Sequence, residues 1–534
     1  MDADELAEMQ SLRAAVDLLQ ANTQVLWLAY GAASVFFLHT GYSMIHVGCA
    51  QAKNSKSVLI TSIFDAGIGA VIWWLLGAGV SFGEDLYPFT NENGFIGTDG
   101  YATASSCFRA SGELSAASLR ESSLCWGQWF LLYSFACTSV TIVAGATAER
   151  IVFGAYLCFS ILWLGLVFPV VVHWGWSQGG WASPHHPADD SLLFDCGVLD
   201  NAGAGIVHVT GGLAAFIGAA FLGPRQGRFI EGVTRDLGQV SWVYQTLGTL
   251  IIWFGWFGMI GATSYLHDDL PLDAAYSSIR GMAMCAISAG ASSVTSVLLG
   301  LVTDQVIDPE YANNGILAGL VAISGGARVV HPEAAFVIGV VGALCFFFSA
   351  RLLLKLEVDD VVNAAPVHLF AGTWGLLAPG LFTDKSLYAA SVAPERAGHC
   401  CGAFYGCGGA QLGANFVFLL AALAWVGAWS VTLFFVTKKL RRLRVDEDVE
   451  GVGLDLSKHG GLSMAVSSKS GCCRLCLKQH PIHSHFHTTR ALPLPFAPTP
   501  QANNMPIPDS MYGSGGPAPG STAPDPFPGG QILP

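Results

Sequence analysis

The sequence predicts an all-α polytopic membrane protein with eleven transmembrane helices, and two observations carry this prediction. Hydrophobic residues make up 52% of the 534 residues and charged residues only 12%, whereas a soluble chain contains about 25% charged residues. Apolar windows of about 20 residues, the length that crosses a bilayer core, recur along the chain between short polar stretches. The predicted spans are residues 25–48, 58–81, 125–147, 151–173, 201–223, 241–263, 279–302, 314–330, 333–355, 362–382 and 407–436.

The charges of the connecting loops predict the orientation. An odd number of spans places the two termini on opposite sides, and loops rich in Lys and Arg are retained in the cytoplasm. The amino terminus is therefore expected outside and the carboxyl terminus inside. The basic residues that fall on one set of alternate loops are Lys53, Lys56, Arg150, Arg225, Arg228, Arg235, Arg351, Lys355, Lys438, Lys439, Arg441, Arg442 and Arg444.

Composition divides the chain into four segments. We expect an extracellular arm at 1–23, a membrane domain at 24–437, a cytoplasmic regulatory segment at 438–466 and a disordered tail at 467–534, where Pro, Gly, Ser and His replace apolar residues. Residues 1–23 lack the basic start of a signal peptide. The net charge of −13 is spread over loops and tail, so nothing indicates a nucleic-acid partner.

Small and sulfur-containing residues add two expectations. Glycine pairs at 211–212, 325–326 and 408–409 are expected to let helix backbones approach closely. Several of the 14 cysteines fall in or beside predicted external loops, where disulfides are permitted, but the sequence leaves their pairing open. These cysteines are Cys107, Cys125, Cys196, Cys400, Cys401 and Cys407.

A spacing repeated in two spans indicates an inverted five-helix repeat. Asp200 precedes His208 by eight positions in the fifth span, and Asp360 precedes His368 by eight in the tenth. The five-span offset reverses the direction of crossing, and eight helical positions correspond to roughly 12 Å. Both histidines are therefore expected near the bilayer midplane, where matching elements of inverted repeats commonly meet.

His208 and His368 are the strongest candidates for a functional pair. An ionisable side chain inside an apolar span normally lines a cavity or a pathway. Either residue alone could instead be a neutral imidazole that bonds to nearby backbone. Two imidazoles in contact can share one proton and relay it, because a neutral ring has one donor nitrogen and one acceptor nitrogen.

Ordered motifs from about residue 24 to residue 466 resemble the ammonium transporter/methylammonium permease/Rhesus family, and a tryptophan cluster and the segment after the last span resemble its plant-type members. The family is expected to form homotrimers and to sit in the plasma membrane. The motifs are QAKN at 51–54, SFA at 134–136, AER at 148–150, HWGW at 173–176, WAS at 181–183, DNAGAGIVH at 200–208, GPR at 223–225, GWFG at 255–258, the tenth-span His368 and DLSKHGG at 455–461.

The resemblance implies an outer site for ammonium between aromatic faces and a hydroxyl, at Phe135, Trp176 and Thr263. Aromatic faces attract a desolvated cation. Asp200 matches an acidic residue below that site. We expect it to cap its helix and to attract the cation electrostatically, rather than to contact ammonium directly. Asp360 is its inner counterpart and is expected to be structural.

The sequence departs from the family at the gate below this site. The family stacks phenylalanines there, and Phe135 is kept, but Leu131 stands one turn earlier and Met259 replaces the usual phenylalanine of the sixth span. Ile260 replaces a usual asparagine, and Asn201 an aromatic residue. An apolar constriction with a flexible methionine is expected from Phe135, Leu131 and Met259.

The resemblance implies transport of ammonium, recruited as the cation, deprotonated at the gate and conducted as ammonia past the histidines with proton co-transport. Ser457 matches a phosphorylatable threonine of a segment that docks on a neighbouring subunit, so a kinase is an expected partner. No cofactor, metal or enzymatic activity is expected. The Cys/His-rich run at 472–487 could bind metal or carry an acyl group.

Two other functions compete with transport. An ammonium sensor with little flux would account for the altered gate, although no signalling domain follows residue 466. A Rhesus-type electroneutral ammonia channel is disfavoured by Trp176 and by the plant-type motif at 455–461. An intramembrane enzyme has least support, because the spans contain no paired nucleophile, ligand set or cofactor loop.

Overall fold

The computed structural model describes residues 3–83, 94–104, 116–185, 192–266 and 274–461. This part of the chain is mostly helical, as the sequence predicts. Its strands are one short antiparallel pair, β1 (Phe229–Ile230) and β2 (Val233–Thr234). The predicted tail at 467–534 and its Cys/His-rich run lie outside the described residues.

Eleven helical segments, α1 to α11, follow one another within the described ranges, and four of them contain a π-helical turn. The eleven are α1 (Ala3–Cys49), α2 (Ser55–Ile72, Trp73–Gly77, Ala78–Ser81), α3 (Ala116–Thr147), α4 (Phe153–Leu162, Trp163–Val167, Phe168–Trp176), α5 (Ala204–Val209, Thr210–Leu222), α6 (Trp242–Thr263), α7 (Ala274–Asp304), α8 (Pro309–Ile323), α9 (Pro332–Lys355), α10 (Ala365–Phe370, Ala371–Leu377, Pro379–Phe382) and α11 (Ala410–Lys439). Shorter helices are Ala52–Asn54, Tyr101–Thr103, Leu193–Asp195, Lys385–Ser391, Pro394–Arg396, Ala403–Tyr405, Glu447–Val452 and Leu454–Lys458.

Nine of these segments in the described part of the chain are long and apolar enough to cross a membrane: α1 to α7, α9 and α11. The other two, α8 and α10, correspond to the predicted spans 314–330 and 362–382. Helix α8 starts before its predicted span because Asp308 caps it, accepting a hydrogen bond from the Glu310 amide, and it ends at Ile323. The count of eleven spans and their orientation remain predictions.

Helix α1 begins well before the predicted span 25–48. The segment predicted as an arm is helical from Ala3 onward and runs into the span without a break. Residues 3–23 contain neither glycine nor proline and are rich in Ala, Leu, Glu and Gln. These residues have high helix propensity, so nothing in the sequence stops the helix at the predicted boundary.

Glycines bring two pairs of helices together at backbone distance. A Cβ atom at Gly248 of α6 would lie 2.5 Å from the carbonyl oxygen of Gly41 of α1. A Cβ atom at Gly212 of α5 would clash with the backbone nitrogen of Leu369 of α10. The expectation of close packing is wrong for residues 408–409, which have open space around them because they lie in the loop before α11.

The two ends of the helix bundle differ in composition. The tryptophan end carries Trp174, Trp176 and Trp181, and the arginine end carries Arg150, Arg225 and Arg444. Disulfides at the tryptophan end join Cys196 to Cys400 and Cys401 to Cys407, with Cα separations of 5.5 and 5.3 Å, and Cys125 is also disulfide-bonded. These cysteines fall in or beside loops that the sequence predicts to be external.

Candidate functional site

His208 and His368 meet inside the bundle. Each lies in a π-helical turn, Ala204–Val209 in α5 and Ala365–Phe370 in α10. Their Nδ1 atoms are 3.2 Å apart, and their ring centroids are 5.1 Å apart. Both side chains are buried. One Nδ1 must donate while the other accepts, so the two rings can hold one shared proton between them.

Asp200 and Asp360 anchor the two turns in the same way. Asp200 Oδ2 accepts hydrogen bonds from the amides of Gly205 and Ile206, both at 2.9 Å. Asp360 Oδ2 accepts one from the Ala365 amide at 2.7 Å. In each case a bonded amide lies five positions after the aspartate, and Asp200 also binds the amide at the sixth position. Both carboxylates therefore cap a helix start. Capping was expected for Asp200, and a structural role for Asp360.

Each carboxylate also has one oxygen that accepts no hydrogen bond within the described structure. The Oδ1 atoms of Asp200 and Asp360 are buried and have no hydrogen-bond partner among the described residues. A buried carboxylate oxygen without a partner is costly. This cost is reduced if a polar group or a cation comes to that oxygen.

Aromatic rings flank the histidine pair on both sides. Trp256 stacks on His208, with centroids 5.0 Å apart and planes 12° apart, and Trp256 Nε1 donates to Ser324 Oγ at 3.0 Å. Tyr42 faces His368 at 6.2 Å. His208 Nε2 is buried without a hydrogen-bond partner in the described structure. The free nitrogen is therefore available to a small polar molecule in the pathway.

Phe135 and Trp176, predicted to recruit ammonium, touch each other. Their ring centroids are 5.4 Å apart with planes at 59°, and Trp176 Nε1 donates to the Asp200 carbonyl at 2.8 Å. This bond places the aromatic pair directly beside the capped turn. The third predicted residue, Thr263, ends α6 and its hydroxyl donates to the Ile260 carbonyl at 3.0 Å.

The predicted gate residues lie in the apolar core. Leu131 is one helical turn before Phe135 on α3, and Met259 lies between Trp256 and Thr263 on α6. Leu131, Phe135 and Met259 all have 0% of their surface exposed. The three side chains are therefore buried apolar groups, and the constriction and its gating role remain predictions.

Arg328 is a charged group near this site that the sequence reasoning missed. It is buried, and its Nη1 lies 3.5 Å from the Thr263 carbonyl. When the amide oxygen and nitrogen of Asn201 are exchanged, its hydrogen bonds to Arg328 and Gly325 are both satisfied. The oxygen then accepts from Arg328 Nε and Nη2 at 3.0 and 2.5 Å, and the nitrogen donates to the Gly325 carbonyl at 2.9 Å. An arginine inside a predicted span, 314–330, was the available signal.

A second buried polar cluster was also missed. Asp65 of α2 accepts hydrogen bonds from the Tyr156 hydroxyl at 2.7 and 2.8 Å and from the Thr141 hydroxyl at 3.3 Å. The Thr141 hydroxyl also lies 3.2 Å from His39 Nε2. Each ionisable residue falls inside a predicted span, which was the signal. Every side chain of this cluster has a partner, which is typical of a structural network.

The arginine end holds a network of ion pairs. Arg225 bonds to Glu149 at 2.9 Å and to Asp359 at 2.7 Å. Burial alone would raise the pKa of Asp359, but the hydrogen bonds and charges of Arg225 and Arg150 hold it at about 2. Next to the network, a cavity of about 290 Å³ reaches Asp360. This end is therefore polar and open up to the second aspartate.

The segment after α11 docks on the arginine end of its own chain. Asp455 accepts hydrogen bonds from the amides of Lys56 and Ser57 at 3.0 Å and so caps α2. Arg444 pairs with Glu450 at 2.9 Å. Ser457 is exposed, and its hydroxyl donates to the Gly453 carbonyl at 2.8 Å. Phosphorylation by a kinase, docking on a neighbouring subunit and a regulatory role remain predictions.

The described residues contain no group of three or more His, Cys, Asp or Glu side chains placed to hold a metal ion. This finding does not extend to the Cys/His-rich run at 472–487, which lies outside the described ranges.

Comparison with known proteins assigns the chain to a family. The model of the Ammonium Transporter Family matches residues 26–464. Ammonium transporter 1 member 1 of Arabidopsis thaliana is 34% identical over 429 residues, covering 79% of this chain and 81% of the relative. Ammonium transporter 1 member 3 of Solanum lycopersicum is 33% identical over 457 residues, covering 84% and 94%.

Solved structures share the fold. A chain described as "Sensor Amt Protein" has a TM-score of 0.69 and 27% identity, covering 82% of this chain and 99% of that one. Mep2 of Candida albicans has a TM-score of 0.66 and 22% identity, covering 80% and 86%. The matched family model and the relatives lead to one conclusion: the chain belongs to the ammonium transporter family, in its plant-type branch.

Proposed function

We propose that the chain moves ammonium across the plasma membrane, inward from the tryptophan end. The observation that carries this proposal is the buried pair His208–His368, whose Nδ1 atoms are 3.2 Å apart between the two capped turns. Membership of the ammonium transporter family supports the choice of substrate. The proposed orientation has the amino terminus outside and the carboxyl terminus inside.

Recruitment is assigned to the group at the tryptophan end. The Asp200 carboxylate attracts the cation, and Phe135 and Trp176 offer aromatic faces to it, an attraction of about 0.5 to 2 kcal/mol. Because these two rings touch, at 5.4 Å, ammonium binds on their open side or parts them rather than sitting between them. Thr263 completes the site through its hydroxyl or its carbonyl.

Deprotonation is assigned to the apolar constriction. A dry passage lined by Leu131, Phe135 and Met259 penalises an ion far more than a neutral molecule. Ammonium therefore gives up its proton below this passage, and ammonia continues to His208 Nε2, which is buried and has no hydrogen-bond partner among the described residues. The N–H bond of ammonium breaks heterolytically, and its proton goes to His208 Nε2. The Nδ1 proton of His208 then moves to His368 Nδ1, and His368 releases its Nε2 proton toward water at the arginine end, so that one positive charge crosses per ammonia.

Regulation is assigned to the docked segment and to a homotrimer. A phosphate on the exposed Ser457 would add up to about two negative charges. It would stand two residues from Asp455, the carboxylate that holds the segment on α2. Repulsion between the two favours release of the segment, and the partner enzyme would be a kinase.

An ammonium jump on proteoliposomes that hold the purified protein tests the transport proposal, with potassium and methylammonium jumps as controls. A saturable current evoked by ammonium and absent with potassium is expected. Uptake without current would replace the proton-coupled mechanism by electroneutral ammonia conduction of the Rhesus type. Absence of both current and uptake in correctly folded protein would refute transport.

A sensor with little flux is the second candidate. It is favoured by the altered gate residues Leu131 and Met259 and by the likeness to a protein whose description is "Sensor Amt Protein". Retained ammonium binding by calorimetry, together with absent current and uptake, would establish this function instead.

A further inference from the structure

Helix α1 extends far beyond the length that a membrane requires. It has 47 residues, which corresponds to about 70 Å, whereas the hydrocarbon core is about 30 Å thick. Gln24, near the start of the predicted span, donates to the Tyr265 carbonyl at 3.1 Å. Residues 4–20, before this contact, are all exposed. About 30 Å of helix therefore projects from the body of the protein.

The projecting helix carries an apolar stripe with heptad spacing. Taking Met9 as position a, the a and d positions are Met9, Leu12, Val16 and Leu19, and all four are exposed. Apolar residues that recur at intervals of three and four are the seam of a coiled coil. Leu19 is 67% exposed and its neighbour Leu18, off the stripe at position c, is 53% exposed.

The same stripe continues along the part of α1 that packs on the body. Positions b, c and f face inward there, as at Gln24, Leu28 and Val35, which are buried. The a and d positions face away from the body. Those that are exposed, in order, are Thr23, Leu26, Tyr30, Ala33, Phe37 and Thr40. The seam of the arm is therefore continuous with the outward face of the spanning helix.

Charges on the arm suit parallel copies of the same helix. Glu8 occupies position g and Arg13 the e position of the next heptad, which face each other across a parallel coiled coil. Arg13 is the only Lys or Arg among the first 52 residues. All copies inserted in one orientation in a membrane have parallel α1 helices, so the arrangement that pairs Glu8 with Arg13 is the one that the bilayer imposes.

A membrane surface fits the arm less well. Helices that lie on a bilayer carry Lys and Arg on the polar face, whereas residues 1–23 contain five acidic residues, Asp2, Asp4, Glu5, Glu8 and Asp17, against one arginine. Lying flat would also require a bend near Gln24, and α1 is one continuous helix there.

We propose that residues 9–26 form a parallel coiled coil with the same residues of other copies of this chain, which holds the subunits together outside the bilayer. The proposal does not depend on the transported molecule. Burial of the exposed stripe drives the association, and the Glu8–Arg13 pairs fix its register.

Disulfide trapping in the full chain tests the seam. Leu12→Cys at position d should give covalently linked dimers on oxidation of purified protein, and Ser11→Cys at position c should give few. Adding Leu19→Lys to Leu12→Cys should reduce the linked fraction about tenfold, because it places charges in the seam. Adding Leu18→Lys, the matched control, should leave it unchanged. Ammonium uptake by each variant verifies folding.

A charge exchange tests the register. Glu8→Lys and Arg13→Glu should each reduce the linked fraction of Leu12→Cys, and the double variant should restore it, because the pair is re-formed with opposite sign. If Leu18→Lys and Leu19→Lys leave the same disulfide-linked fraction of Leu12→Cys, whether high or low, the proposed seam is wrong. Failure of the double exchange to restore linkage would overturn the parallel register.

Discussion

The segments Asp200–His208 and Asp360–His368 have nearly the same local structure in opposite halves of the chain. Each begins with an aspartate that caps amides five or six positions on, Asp200 being buried and Asp360 partly buried, and each contains a π-helical turn that carries the histidine. In each, the second aspartate oxygen is buried without a partner among the described residues. The spacing seen in the sequence therefore corresponds to one backbone arrangement used twice.

The surroundings of the two segments differ. Asp200 lies under Trp176, whose indole donates to its carbonyl, and the nearby charge is the buried Arg328. Asp360 borders a cavity of about 290 Å³ beside the Arg225 ion pairs. The fold therefore repeats the arrangement that positions the histidines, whereas the surroundings of the two turns are not repeated. In the function we propose, selection of the entering molecule is assigned to the tryptophan end.

The largest expected effect concerns the close contact between α5 and α10, the helices that carry the two histidines. A Cβ at Gly212 would clash with the backbone of Leu369, so Gly212→Ala should force α5 and α10 apart and destabilise the protein by about 3 kcal/mol. Thermal unfolding in detergent measures this loss. Gly409→Ala, at a glycine with open space around it, is the control and should leave the midpoint unchanged. Equal unfolding midpoints for Gly212→Ala and Gly409→Ala would show that α5 and α10 do not approach each other this closely.

The next effect concerns the arginine end and its pH dependence. The pKa of Asp359 is lowered to about 2, below the usual unfolded value of about 3.9. Its ionised form therefore stabilises the fold above about pH 4, and this contribution, about 2 kcal/mol, is lost as the pH falls from 4 to 2. Asp359→Asn should flatten this part of the profile of unfolding midpoint against pH. An unchanged profile would contradict the role of Asp359.

The two capping aspartates should contribute equally to the stability of the protein and unequally to the KM for ammonium uptake. Asp200→Ala and Asp360→Ala should each destabilise the protein by about 1 kcal/mol, the usual cost of a lost cap. Asp200→Asn and Asp360→Asn keep an acceptor oxygen and remove the charge. Only the first should raise the KM for ammonium uptake. An equal rise in both would mean that the two ends contribute alike to recruitment.

The smallest effect concerns Arg328. A fixed positive charge beside Thr263 opposes a cation at the same mouth by about 1 kcal/mol. Arg328→Gln should therefore lower the KM for ammonium several-fold, and Arg328→Lys, which keeps the charge, should not. Direct binding of ammonium by titration separates affinity from turnover. Unchanged affinity in Arg328→Gln would place the charge away from the pathway.

The sequence predicted the helices and the meeting of the two histidines, because hydropathy and the rise of a helix determine both. It did not predict the π-helical turns of α5 and α10, whose first amides are bonded to the Asp200 and Asp360 carboxylates. The pairing of Cys196 with Cys400 depends on loops 204 residues apart in sequence. The sequence shows Arg328 and Asn201 as separate residues, and only the folded structure shows that their side chains are hydrogen-bonded.

The most direct test of the pathway is the charge displaced by an ammonium jump on proteoliposomes that hold His208→Ala or His368→Ala, compared with the unchanged chain. If the paired imidazoles carry the proton, each variant should lose most of the ammonium current or should admit potassium, while still folding and forming vesicles of normal protein content. Normal, saturable and ammonium-selective currents in both variants would contradict the account.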